Sequence, residues 1–141
     1  MADGTRYTFF DHTADIGIRA HGPTLTDVFL GLARGLTALL VEESRIGSTQ
    51  TRTITVAAPD VESLLLVWLQ ELLFLFSTER FVPVEYAMEQ LTPTALTCRI
   101  AGGTFDPTRH LQGREVKAIT RHWLEVRQEN GVWRGQVIVD I

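Results

Sequence analysis

The stretch that most restricts the fold runs from Val61 to about Ser77. Leu64, Leu65, Leu66, Val67, Trp68, Leu69, Leu72, Leu73, Phe74, Leu75 and Phe76 leave almost no polar stripe along it. A helix that is apolar nearly all round has to be covered on most sides. Gln70 and Glu71 interrupt the run, which falls short of the roughly 20 apolar residues that a bilayer span demands. The pattern therefore predicts a central core helix with no membrane partner, begun by Asp60 as N-cap directly after Pro59.

The flanking segments supply the cover. Tyr7 to Phe10 is a short aromatic strand, and Ile16, Ile18 and Ala20 alternate with Gly17, Arg19 and His21 at the period of a half-buried strand. Gly22-Pro23 breaks that strand, and Thr24 with Asp27 resembles a capping box ahead of Leu25, Val28, Phe29, Leu32, Leu36, Leu39 and Leu40 at helical spacing. Thr51 to Ala58 is rich in β-branched residues and reads as a strand; Val82–Gln90 and Ala95–Ala101 read as a hairpin, and Gly102 to Gly113 as a loop. Gly102-Gly103 in that loop is a turn signal, without the Lys-Ser/Thr ending of a phosphate-binding loop.

Asn130-Gly131 is the strongest short hairpin signal, because a two-residue type I′ turn needs positive φ at both positions. A turn there sets Glu129 against Val132, Leu124 against Val137, His122 against Val139 and Arg121 against Asp140, unless a bulge in the first strand shifts the pairs beyond it. At 141 residues the chain fits one domain, residues 1–141, able to bury about 68–70% of its unfolded surface. The expected architecture is α+β: a single mixed, largely antiparallel sheet covered by two long helices, with a C-terminal hairpin.

Chemistry concentrates at Asp11-His12-Thr13-Ala14-Asp15, where the chain turns into the strand at Ile16, and at Asp140-Ile141. If the final strand is paired to its end, the Ile141 carboxylate is held beside Asp140. Two anions so close are solvated, paired with a base such as Arg121 or Lys117, or bridged by a cation. Asp15 offers a third oxygen ligand, and carboxylates without a nearby thiol favour Ca²⁺, Mg²⁺ or Mn²⁺ over structural zinc.

His12-Thr13-Ala14-Asp15-Ile16-Gly17, Gly103-Thr104-Phe105-Asp106-Pro107-Thr108-Arg109-His110, Glu115-Val116-Lys117-Ala118-Ile119-Thr120 and the Asp140-Ile141 ending stand in the order found in the archease family, and the chain resembles that family over essentially its whole length. The resemblance implies a small cytoplasmic accessory protein, itself not an enzyme. Archeases activate the GTP-dependent RNA ligase that joins 2′,3′-cyclic-phosphate and 5′-hydroxyl ends in tRNA splicing, promoting ligase guanylylation and multiple turnover. It places the family's divalent-cation site, Ca²⁺ first with Mg²⁺ and Mn²⁺ as alternatives, on Asp15, Asp140 and the Ile141 carboxylate; His12, Lys117 and Arg121 are the nearby side chains expected to support those ligands or touch the partner. Arg121 departs from the family's commoner aromatic residue, and a guanidinium opposite Asp140 would compete with a cation.

Simpler readings accompany these. His12 is equally a hydrogen-bonded turn histidine, His122 reads as a satisfied buried histidine on the apolar hairpin face, Lys117 as a solvated strand lysine and Cys98 as a small packing residue. The lone Cys98 allows no internal disulfide, and the N-terminus has no secretory or transit pattern, which fits the cytoplasm. A net charge of −4 and no visible basic stripe imply that RNA is reached only through the ligase. Two other classes compete: a metal-dependent hydrolase built on Asp15 and Asp140, and a chaperone-like binding module if part of the 61–77 helix is exposed.

Overall fold

The computed structural model describes residues 6–12, 15–42 and 45–141. Strands β1 (Arg6–His12) and β2 (Asp15–Gly22) lead into helix α1 (Leu25–Leu40) and the two-residue β3 (Val41–Glu42). Strand β4 (Gln50–Ala57) precedes helix α2 (Val61–Glu79), and β5 (Phe81–Leu91), β6 (Ala95–Thr104), β7 (Leu111–Gln112), β8 (Ala118–Glu129) and β9 (Val132–Asp140) follow.

The class is α+β, as expected, but the strands do not form one sheet. They divide into a four-stranded sheet in the order β1-β2-β9-β8, a three-stranded sheet β4-β6-β5 and a small β3-β7 pair. Every pairing among the described residues is antiparallel, so the expected mixed sheet is corrected as well. The reason lies in α2. Helix α1 packs on β1, β2 and β9 and reaches β5, while α2 packs on β8 and on β4, β5 and β6. A helix apolar all round cannot be satisfied by one sheet face, and here each helix touches strands of both larger sheets.

Local signals start the helices where the sequence suggests. Thr24 and Asp27 form a reciprocal capping box, with Asp27 N–H donating to Thr24 Oγ1 at 3.2 Å and Thr24 N–H to Asp27 Oδ2 at 2.9 Å. Ser63 N–H donates to Asp60 Oδ1 at 2.8 Å, so Asp60 caps α2. At its other end α2 stops on Arg80, whose left-handed φ of 57° lets its N–H reach the carbonyls of Leu75 and Phe76.

The core is centred on Trp68, fully buried together with Phe29, Phe81, Leu32, Leu64 and Leu65. The indole N–H of Trp68 donates to the Phe29 carbonyl of α1 at 3.0 Å, and its ring meets Tyr86 of β5 edge-on at 6.2 Å. Among the large apolar side chains of α2 only Phe74 is exposed. Trp68→Phe removes a buried hydrogen bond and opens a small void. It is expected to lower unfolding free energy by about 2–4 kcal/mol in urea titration; a loss below about 0.5 kcal/mol would show that Trp68 does not tie the helices together.

Candidate functional site

Three strands converge on Asp140. In the antiparallel register Asp15 of β2 lies directly opposite Asp140 of β9, and on the other side of β9 Asp140 faces Ala118 of β8. The main-chain N–H of Lys117 donates to the Asp140 carbonyl at 2.7 Å, so the end of β9 is held from both sides. Directly opposed residues share a sheet face, with Cβ atoms about 4.5–5.5 Å apart. Asp15 and Asp140 are thus neighbours on the outer face, the one turned away from α1, and both are half-buried. The backbone of His12 continues this row opposite Asp15; its side chain lies outside the described residues, as do Thr13 and Ala14.

The adjacent row gives the pair an apolar border. Phe10, Gly17 and Ile138 are opposed across β1, β2 and β9, and the Phe10 ring occupies the space that a Cβ at Gly17 would need. Ile138 is fully buried beside it, away from the main core, and the Arg19 guanidinium covers the other face of Phe10 at 4.0 Å. This explains why a β-branched residue follows the polar pattern of that face at Ile138, where the hairpin pattern alone suggests solvent.

Arg121 is not opposite Asp140. The hairpin register holds from Glu129↔Val132 to Glu125↔Gln136, then shifts, so that residues 121–124 of β8 stand against Val137 alone before Thr120 meets Ile138. In this bulge Trp123 adopts a left-handed φ of 55°, and its carbonyl accepts from Gln136 Nε2 at 2.9 Å. Arg121 turns instead to the start of α2, where its guanidinium donates to Ser63 Oγ at 3.2 Å. Hydrogen bonds from the Ser63 main chain and hydroxyl hold the Asp60 carboxyl below its ordinary value, with Arg121 adding to the effect. The same bulge corrects His122, which is exposed and stacked on Trp123 at 5.3 Å rather than buried on the apolar face.

The chemistry of the donors is uniform. Among the described residues no three His, Cys, Asp or Glu side chains cluster to hold a metal. Asp15 and Asp140 themselves offer side-chain oxygens, and Ile141 follows Asp140 directly. All of these donors are oxygen, which suits a hard cation. Lys117 has an exposed side chain beside this strand end.

The Gly102–Gly113 segment, expected as a loop, is partly strand. Strand β6 continues to Thr104 and β7 pairs with β3. Asp106 Oδ1 accepts from the N–H and hydroxyl of Thr108 at 2.9 and 2.8 Å, which lowers its pKa. The Asp106 N–H donates to His110 Nδ1 at 2.8 Å, leaving Nε2–H to donate to the Arg45 carbonyl at 3.2 Å. The polar groups of this motif are spent on joining two loops.

Residues 7–141 match the Archease protein family (MTH1598/TM1083). The archease of Methanosarcina mazei is 31% identical over 144 residues, covering 99% of each chain, and that of Pyrococcus furiosus is 35% identical over 140 residues, covering 96% of this chain and 99% of the relative. The solution structure of protein 1598 from Methanobacterium thermoautotrophicum is similar with a TM-score of 0.81 and 32% identity, covering 96% of this chain and 98% of that one. The crystal structure of an archease described as a possible chaperone, from Thermotoga maritima, shares the fold at a TM-score of 0.61 and 20% identity, covering 94% of each chain.

Cys98, in the middle of β6, has no access to solvent, and burial pushes its thiol up to about 11. A nucleophilic role at neutral pH is thereby unsupported. With a thiol-reactive disulfide reagent at pH 8 the folded protein is expected to give no fast reaction, and the guanidinium-unfolded chain its one thiol; rapid labelling of the folded protein would contradict this burial.

Proposed function

The chain belongs to the archease family, and from that membership we propose that it is a metal-binding accessory protein of the GTP-dependent RNA ligase that joins 2′,3′-cyclic-phosphate and 5′-hydroxyl RNA ends. It promotes guanylylation of the ligase and lets it turn over repeatedly. The observation that carries the reading is the direct opposition of Asp15 and Asp140 across β2 and β9, with Arg121 engaged elsewhere. Like charges facing each other across a strand pair are destabilising. The arrangement is kept at a strand end where the main chain is fixed by Lys117, which suits a pair built for a cation.

Asp15, Asp140 and the Ile141 carboxylate would hold the ion, Ca²⁺ first. When bound, it supplies positive charge that cancels the repulsion and attracts oxygen ligands of a partner. The protein residues do the remainder. Phe10 and Ile138 exclude water from one side of the pair, the β2-β9-β8 ladder fixes the carboxylate spacing, and Lys117 presents a cation of its own beside the site. The surface is thus presented rigidly to the ligase, where it orients the groups that form the lysine–guanylate bond or transfers the ion to the ligase. Function belongs to the cytoplasm, with RNA as the ligase's substrate.

Two outcomes are expected. In thermal melts, Ca²⁺ at 100 times its dissociation constant stabilises the wild-type protein by about 2.7 kcal/mol over EDTA, and this increment vanishes in Asp140→Asn; an equal increment in both would move the ion elsewhere. In multiple-turnover ligation with the cognate ligase and GTP, the wild-type protein raises product well beyond one turnover while Asp15→Ala and Asp140→Asn do not. Full activation by either variant would remove the carboxylate pair from the function.

A further inference from the structure

The outer face of the four-stranded sheet ends, opposite the carboxylates, in a row of basic groups that only the register assembles. Arg6 faces His21, His21 faces Arg134, and Arg134 faces Arg127, one residue from each of β1, β2, β9 and β8. All four are exposed. With strands about 4.8 Å apart the row spans roughly 14 Å, and it lies about 20 Å along the strands from Asp15 and Asp140. The row itself contains no carboxylate; Glu125, one row along, reaches Arg127 Nη1 only at 3.8 Å. Directly opposed like charges cost stability, so a chain of net charge −4 keeps this end basic against both its composition and its sheet.

A groove of about 410 Å³ runs beside the row, lined by Arg19, His21, Arg127, Arg134, Gln136 and Glu125 among others. Arg19 Nε donates to Gln136 Oε1 at 3.1 Å, and Gln136 Nε2 donates to the carbonyl of Trp123. The bulge thereby brings the main chain of Trp123 to the border of the groove, and its exposed ring stacks on His122. A protein partner would be expected to meet an apolar patch with a polar rim. Here the groove is polar and charged, and the bulge whose main chain borders it carries an exposed aromatic, which suits a backbone track with a stacking platform.

We propose that the Arg6–His21–Arg134–Arg127 row binds the phosphodiester backbone of a single-stranded nucleic acid, with Trp123 stacking on a base. Guanidinium forks pair with phosphate oxygens in two-point fashion, and successive phosphates cross the strands of the sheet. The binding does not depend on ligase activation. If the proposed function holds, the strand is the RNA being joined, and it is reached directly as well as through the ligase.

The test is fluorescence anisotropy of the purified protein with a fluorescein-labelled 12-nucleotide RNA and the matching DNA, from 25 to 200 mM salt. Both strands are expected to bind at low salt. Arg127→Glu with Arg134→Glu weakens binding by at least tenfold, the milder Arg127→Gln with Arg134→Gln reduces the log–log salt slope by about 1.4, and Trp123→Ala weakens binding about tenfold. Arg99→Glu with Arg114→Glu makes the same change in net charge elsewhere on the surface and leaves binding within threefold. The proposal is overturned if neither oligonucleotide binds at 25 mM salt, if the control pair weakens binding as much as the row pair, or if labelled oligoglutamate binds as tightly as RNA.

Discussion

Helix α2 sets the terms for the rest of the molecule, because a segment with apolar side chains on nearly every side is stable in water only if protein covers most of it. Each fully buried Leu or Phe contributes roughly 1.5–3 kcal/mol, and α2 carries Leu64, Leu65, Trp68 and Leu69 at zero exposure. Two sheets and α1 are needed to supply that cover, and β8 is one of the strands drawn onto α2. The site is a consequence of this packing. Beyond Thr120 strand β8 bulges, Arg121 leaves the ladder for Ser63 at the start of α2, and Asp140 is left facing Ala118 on one side and Asp15 on the other.

The outer face of the four-stranded sheet then acquires a polarity that its composition hides. At one end two carboxylates are opposed, in the middle Phe10 and Ile138 form a small apolar patch over Gly17, and at the other end four basic residues stand in a row. Both ends place like charges directly across strands, where a sheet selected only for stability would alternate them. Acid and base on one rigid face, about 20 Å apart by strand rise, fit a surface that engages a cation-dependent protein partner at one end and a nucleic-acid strand at the other.

The sequence makes some of this legible. The capping pair Thr24 and Asp27, the N-cap Asp60 and the burial of α2 follow from local rules, and Asn130 and Gly131 take positive φ values of 53° and 77° as a type I′ turn requires. Register counted from that turn is correct as far as Glu125↔Gln136. It fails at residues 121–124, where the bulge depends on Ser63 and Gln136, side chains distant in sequence, and so Arg121 and His122 are misplaced by pattern alone. The division into three sheets was equally hidden, since β3 and β7 are two residues each and carry no period. Arg6, His21, Arg127 and Arg134 are separated by up to 128 positions in the sequence; a row made one residue per strand has no linear signature. Asp15 and Asp140, at opposite ends of the chain, were recognisable through the resemblance to archeases and become neighbours only through the β2-β9 pairing.

If the opposed carboxylates form a cation site, anomalous diffraction from crystals grown or soaked with Mn²⁺ will locate the ion there. A single strong anomalous peak is expected on the outer face, about 2.0–2.6 Å from carboxylate oxygens of Asp15 and Asp140 and from the main-chain carboxylate of Ile141. A peak at other residues, or no peak at a concentration that saturates binding in solution, would contradict it.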